Sequence, residues 1–133
     1  MFLKETTINE YIKKLDLKPQ TCSAIWGTMM PSKISSALLG SAAVLNLKYN
    51  VIYFTKKEII IIPIDNLTGE IIEEPPAIID KVKVQSVIFK KKLLGYVLRI
   101  LTEEDEIRFK VNSKMIGAKW HSLNMERILK EET

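Results

Sequence analysis

The chain carries one cysteine, Cys22, and one histidine, His121, among 133 residues. A single thiol excludes an internal disulfide and any Cys-based zinc site within the chain, and a reducing compartment is the simpler expectation. Cys22 and His121 lie far apart in sequence, so spacing marks no nucleophile and base, and Cys22 reads as an inert thiol. Glycine is equally sparse, at five residues. Neither GxGxxG nor GxxxxGK[ST] occurs, so no glycine-rich cradle for a nucleotide is present. No apolar run approaches the roughly 18 residues that cross a bilayer. The start, Met1-Phe2-Leu3-Lys4-Glu5-Thr6, lacks the cationic segment and apolar core of an export signal. These absences point to a cytoplasmic, non-enzymatic chain with no cofactor and no metal.

What remains is ordinary for a folded domain. Hydrophobic residues make up 47% and charged residues 27%, and this length fits one domain able to bury its own core. Twenty basic against 16 acidic residues give a formal charge of +4. That surplus suits phosphate or anionic lipid, but it is too small for a committed nucleic-acid binder, and no nucleic acid is expected.

The pattern along the chain is helix, strands, helix. Thr7-Ile8-Asn9-Glu10 fits a capping box, and Ile8, Tyr11, Ile12 and Leu15 follow at helical spacing. Pro19 predicts an end near Leu17. Residues 20–50 are punctuated by Gly27, Pro31 and Gly40. A short helix is expected over 32–39, while 43–47 either continue it or begin a strand. Residues 51–55 and 59–64 flank Lys56-Lys57-Glu58 as a hairpin. Ile59-Ile60-Ile61-Ile62 is apolar on both faces, so the outward face needs a helix, a loop or a second subunit. Asp65 to Glu70 reads as a solvated turn rather than a calcium loop, and Glu73-Glu74-Pro75-Pro76 as extended chain.

Residues 82–89, 93–102 and 107–111 read as three further strands. Val82, Val84 and Ile88 are assigned to one face of the first, and Leu94, Tyr96, Leu98 and Ile100 to one face of the second. In the third, Ile107, Phe109 and Val111 oppose Arg108 and Lys110. The acidic tip at Glu103, Glu104, Asp105 and Glu106 closes the last hairpin. A helix over 113–131 follows, with Ile116, Trp120, Leu123 and Ile128 as its stripe, Trp120 as anchor on the sheet, and Gly117 inside it. His121 is placed at the helix surface or boundary.

Two surfaces stand out. Lys90, Lys91 and Lys92, joined by Lys56 and Lys57 if both tips share one end of the sheet, are candidates for an anion or lipid head group. Ile60 and Ile62, with Trp26, Met29 and Met30, are candidates for a partner or self-association surface.

Tyr53-Phe54-Thr55-Lys56-Lys57-Glu58-Ile59, the run of hairpins, and Ile107-Arg108-Phe109-Lys110-Val111 leading to Gly117-Ala118-Lys119-Trp120-His121 resemble bacterial pleckstrin-homology-like and GRAM-like domains. The resemblance covers residues 43–131 and leaves 1–42 as an N-terminal helical extension. It implies an α+β fold, a strongly bent antiparallel sheet or partly open barrel of about seven strands with a C-terminal capping helix. It also implies a non-enzymatic binding or assembly module that engages a protein or peptide through a sheet edge or apolar patch, with homo-oligomerisation open. The alternative is peripheral binding to anionic membrane lipid through the Lys90 to Lys92 tip. Lys56-Lys57 matches only part of the spaced basic motif of phosphoinositide-binding members.

Overall fold

Two-residue alternation becomes a seven-stranded antiparallel sheet in the computed structural model, which describes residues 3–30 and 48–133. The strands are β1 (Ala24–Met30), β2 (Tyr49–Phe54), β3 (Glu58–Ile64), β4 (Ala77–Asp80), β5 (Val84–Lys92), β6 (Gly95–Thr102) and β7 (Glu106–Asn112). Helix α1 (Glu5–Lys14) precedes them, and α2 (Lys119–Glu131) follows. The sheet order is β4-β3-β2-β1-β7-β6-β5, so two meanders meet at the β1–β7 pair. The helix expected over 32–39 and the ambiguous 43–47 lie outside the described residues.

Chain length forces this sheet to bend. β4 and β5 are its two edges, yet only Lys81–Lys83 joins them. Seven flat strands would separate those edges by about 29 Å. The register also places Asp80, beside Glu58, and Val84, beside Thr102, at opposite corners. Three linking residues reach at most about 14 Å. The two meanders must therefore fold toward each other, with no β4–β5 pairing to close them.

Inside the bend lie Ile25, Ile52, Phe54, Ile59, Ile61, Leu98, Ile100, Ile107, Phe109 and Val111, joined by Met125 and Ile128 of α2. The outward face of β1 to β3 is covered by α1. Its Ile8, Tyr11 and Ile12 pack with Val51, Tyr53, Ile60, Ile62 and Ile64. The isoleucine run is thus buried on both faces by its own chain. Ile60 and Ile62 have no exposed surface, which corrects their assignment to a partner surface.

Several expectations shift in detail. α1 begins at Glu5 and has Lys4 as an extended N-cap without a side-chain bond, so the Thr7–Glu10 capping box does not form. It stops by Leu15, because Asp16 adopts φ 64. β1, expected as no strand, occupies the centre of the sheet, so 1–42 is not simply an appended extension. In β5 a register shift between Val84 and Ser86 reverses the later side chains. Val87 and Phe89 therefore join Val84 against the core, while Val82 is 86% exposed and Ile88 faces outward.

The terminal helix is shorter and rotated relative to expectation. Gly117, at φ 84, precedes α2 rather than lying within it. The buried positions are His121, Asn124, Met125 and Ile128, whereas Ile116 and Leu123 are exposed. Trp120 packs with the α1 side of the sheet, and its Nε1–H donates to the Leu3 carbonyl at 3.0 Å.

Candidate anion-binding face

Among the described residues, α1 covers one half of the outward face and no helix lies across the other. Cross-strand neighbours in an antiparallel sheet point the same way, so register identifies what that open half presents. One row runs Lys90, Val97, Lys110, Thr28 and Tyr49. The next runs Ile88, Arg99, Arg108 and Met30. A third begins at Lys92 and crosses Gly95 to Asn112. Lys90 and Lys110, two strands apart, stand about 10 Å from each other.

Five cations thus share one outward surface. Glu106 neutralises part of it, at 3.0 Å from Arg99 and 3.6 Å from Arg108. Among the described residues no carboxylate forms an ion pair with Lys90, Lys92 or Lys110, and all three are exposed. From Lys81 to Met125 the sequence has ten basic and four acidic residues, and the four acids are the consecutive Glu103, Glu104, Asp105 and Glu106. Glu103, Glu104 and Asp105 form the β6–β7 turn and Glu106 opens β7, all at the opposite end of β6 from the Leu93-Leu94 turn. The field along this half of the sheet is therefore polarised.

The five lysine candidates do not share one surface. Lys90 and Lys92 share the outward face, but Lys91 turns to the other side and stacks 5.1 Å from the Tyr96 ring. All three lie within β5 rather than at a tip, and the turn is Leu93-Leu94. Lys56 and Lys57 do not join them. The Lys57 carbonyl accepts from Lys81 N–H at 2.8 Å, beside the far end of β5. Nine residues of strand, about 27 Å, intervene.

Trp26, Met29 and Met30 also part company. Met29 packs toward the inner core, Met30 sits in the outward row beside Arg108, and Trp26 is half-buried at the edge of the α1-covered cluster. The Trp26 and Tyr49 rings lie 5.9 Å apart in a cleft of about 590 Å³ that Lys48, Lys110 and Asn112 also line. Asp65 borders this cleft but is committed to its own turn. Its Oδ1 accepts from Leu67 N–H at 2.8 Å and Thr68 N–H at 2.9 Å, and the Thr68 and Leu67 bonds hold its carboxyl below the usual range.

His121 is buried, not superficial. Its Nδ1 accepts from Trp26 N–H at 3.0 Å, and Nε2 lies 2.5 Å from the Asn112 carbonyl. An amide can only donate and a carbonyl can only accept, so the ring is the neutral Nε2–H tautomer. Burial lowers its pKa, while the Asn112 contact works in the opposite direction. A proton on Nδ1 would also break the Trp26 bond. Both nitrogens are thus spent on joining β1 to β7 through α2. Cys22 sits in a left-handed backbone at φ 55, where its carbonyl accepts from Arg127 Nε–H at 2.6 Å.

In the sequence, Arg108 and Lys110 read only as the solvated side of a strand. Alternation within each strand marks a cation as outward, but register is needed to show that three strands stack their cations together. No protein-family model, curated protein or solved structure matches the chain.

Proposed function

We propose that this chain is a non-enzymatic binding module of pleckstrin-homology-like architecture, and that its open, lysine-bearing sheet face attaches it to an anionic membrane surface. The architectural part is supported by a four-strand meander and a three-strand meander joined at β1–β7, followed by a C-terminal helix that contributes to the core. The functional part rests on one observation: Lys90, Lys92 and Lys110 line one outward surface, and the acids between Lys81 and Met125 are gathered at the far end of the β6–β7 hairpin. Lysines near a membrane add their attractions and lose them as salt rises.

A protein or peptide partner at a sheet edge has weaker support. Ile60 and Ile62 are covered, and the β5 edge carries three lysines, which discourage edge-to-edge pairing. His121, the single imidazole, has both ring nitrogens committed to the backbone of β1 and β7, which favours binding over catalysis.

Sedimentation with phospholipid vesicles tests the reading. The chain is expected to pellet with phosphatidylcholine vesicles containing about one-third phosphatidylserine and to stay in solution with phosphatidylcholine alone. K90E/K92E/K110E should weaken binding by at least about tenfold. A wild-type chain that ignores the anionic vesicles at low salt would remove the membrane assignment.

A further inference from the structure

Resting on that reading, we infer that Leu93 and Leu94, at the β5–β6 turn, form an apolar wedge that enters the acyl boundary of an anionic bilayer while Lys92 and Lys114 hold the head groups. Lys92 pairs with Gly95, so the turn consists of these two leucines alone. Leu93 is 96% exposed and Leu94 78%.

Neither burial nor turn chemistry accounts for leucine here. Two-residue hairpin turns favour Asn-Gly or Gly-containing pairs, because their preferred forms need positive φ. Neither leucine adopts positive φ, so the turn lacks the backbone that tight hairpins favour. Leucine contributes nothing to such a turn except apolar surface.

The rigidity and surroundings of the tip suit insertion. A Cβ at Gly95 would collide with the Val111 carbonyl oxygen, so glycine lets β6 lie close against β7 directly behind the turn. The Leu94 carbonyl accepts from Ser113 N–H at 3.2 Å, which ties the tip to the segment after β7. Lys92 directly precedes Leu93 and Lys114 directly follows Ser113, and both lysines are exposed. An apolar prong with cations directly behind it matches the depth profile of a bilayer surface, where head-group phosphates lie above the acyl chains.

Size argues against a protein as occupant. Two leucines expose on the order of 300 Å², well short of the ~800 Å² that each partner contributes to a standard interface. A bilayer needs no such area.

The test compares wild type, L93S/L94S and V82S on two probes: phosphatidylcholine–phosphatidylserine vesicles, and heparin as a soluble polyanion without an apolar phase. Val82 is an exposed apolar residue at the far end of β5 and serves as the control. L93S/L94S should lose at least about tenfold in vesicle affinity. Its heparin affinity and melting temperature, and both affinities of V82S, should stay at wild-type values. Unchanged vesicle binding by L93S/L94S, alongside loss in K90E/K92E/K110E, would overturn the wedge and leave the lysine face standing. Loss by L93S/L94S on both probes, or equal loss by V82S, would overturn it as well. Wild-type binding to heparin but not to vesicles would remove wedge and membrane assignment together, in favour of a soluble or proteinaceous polyanion.

Discussion

The outward surface of the sheet has two halves built on the same alternation and finished in opposite ways. Over β1 to β3 its residues are Val51, Tyr53, Ile60, Ile62 and Ile64, and α1 lies across them. Over β5 to β7 they are Lys90, Lys92, Arg99, Arg108 and Lys110, and α1 does not reach them. Pairing and pleat are alike in the two, so side-chain chemistry alone decides which half is covered. An apolar outward row must find a lid within the chain, whereas a cationic row is stable in water and remains available to a ligand.

Reversing the covered half should have the largest effect. I60K would place an ammonium beneath α1 with no partner designed for it, and is expected to cost more than about 4 kcal/mol, or to unfold the chain, in urea denaturation. I62A, which leaves a cavity instead of a charge, should cost about 3 kcal/mol. If both variants unfold like wild type, α1 does not cover that face.

A smaller effect is expected at the junction between the halves, where His121 bridges Trp26 and Asn112. Its folded pKa lies below the ordinary value near 6.5, so the unfolded chain binds its proton first as pH falls. The stabilising effect of the neutral ring is complete above pH 6.5 and is lost on acidification toward the folded pKa, at no more than about 1.4 kcal/mol per pH unit. Thermal melts between pH 7.5 and pH 5 should show this slope in wild type, and H121Q should flatten it. An equal slope in both proteins would assign it to other groups.

Reversing the open half should have the smallest effect on folding. K110I adds an apolar residue to a solvated row and is expected to change stability by less than about 0.5 kcal/mol. The same variant should weaken binding to anionic vesicles, so stability and attachment come apart on this half and not on the other.

Much of this division was legible in the residues. Ile107, Phe109 and Val111 alternate with cations, and Ile8, Tyr11 and Ile12 repeat at helical spacing; both patterns reappear as buried faces because one side of each element meets water. β1 was not legible. Ala24-Ile25-Trp26-Gly27 is a central strand interrupted by glycine, where a Cβ would come within 2.6 Å of Ile52 Cδ1, so close packing removed the side chain that alternation would have shown. β4 escaped because four residues carry too little pattern and owe their conformation to pairing with β3. The face of α2 was misread for a third reason. Its inward positions include His121 and Asn124, polar residues that satisfy backbone groups of β1 and β7, and Asn124 Nδ2–H donates to both the Ala24 carbonyl and Glu5. Hydrophobic spacing cannot find a helix face chosen for its hydrogen bonds.

The seam between β1 and β7, where Thr28 meets Lys110, has a bearing on biogenesis. The β5–β7 meander can zip from its two tight turns as soon as it leaves the ribosome, but the first strand must wait for the last before its second edge is satisfied. Joining segments so distant in sequence is the slow, entropy-limited event in folding. Until β7 has been translated, the nascent chain holds one half-built ribbon with an unpaired flank, the interval in which a chaperone would have most to protect.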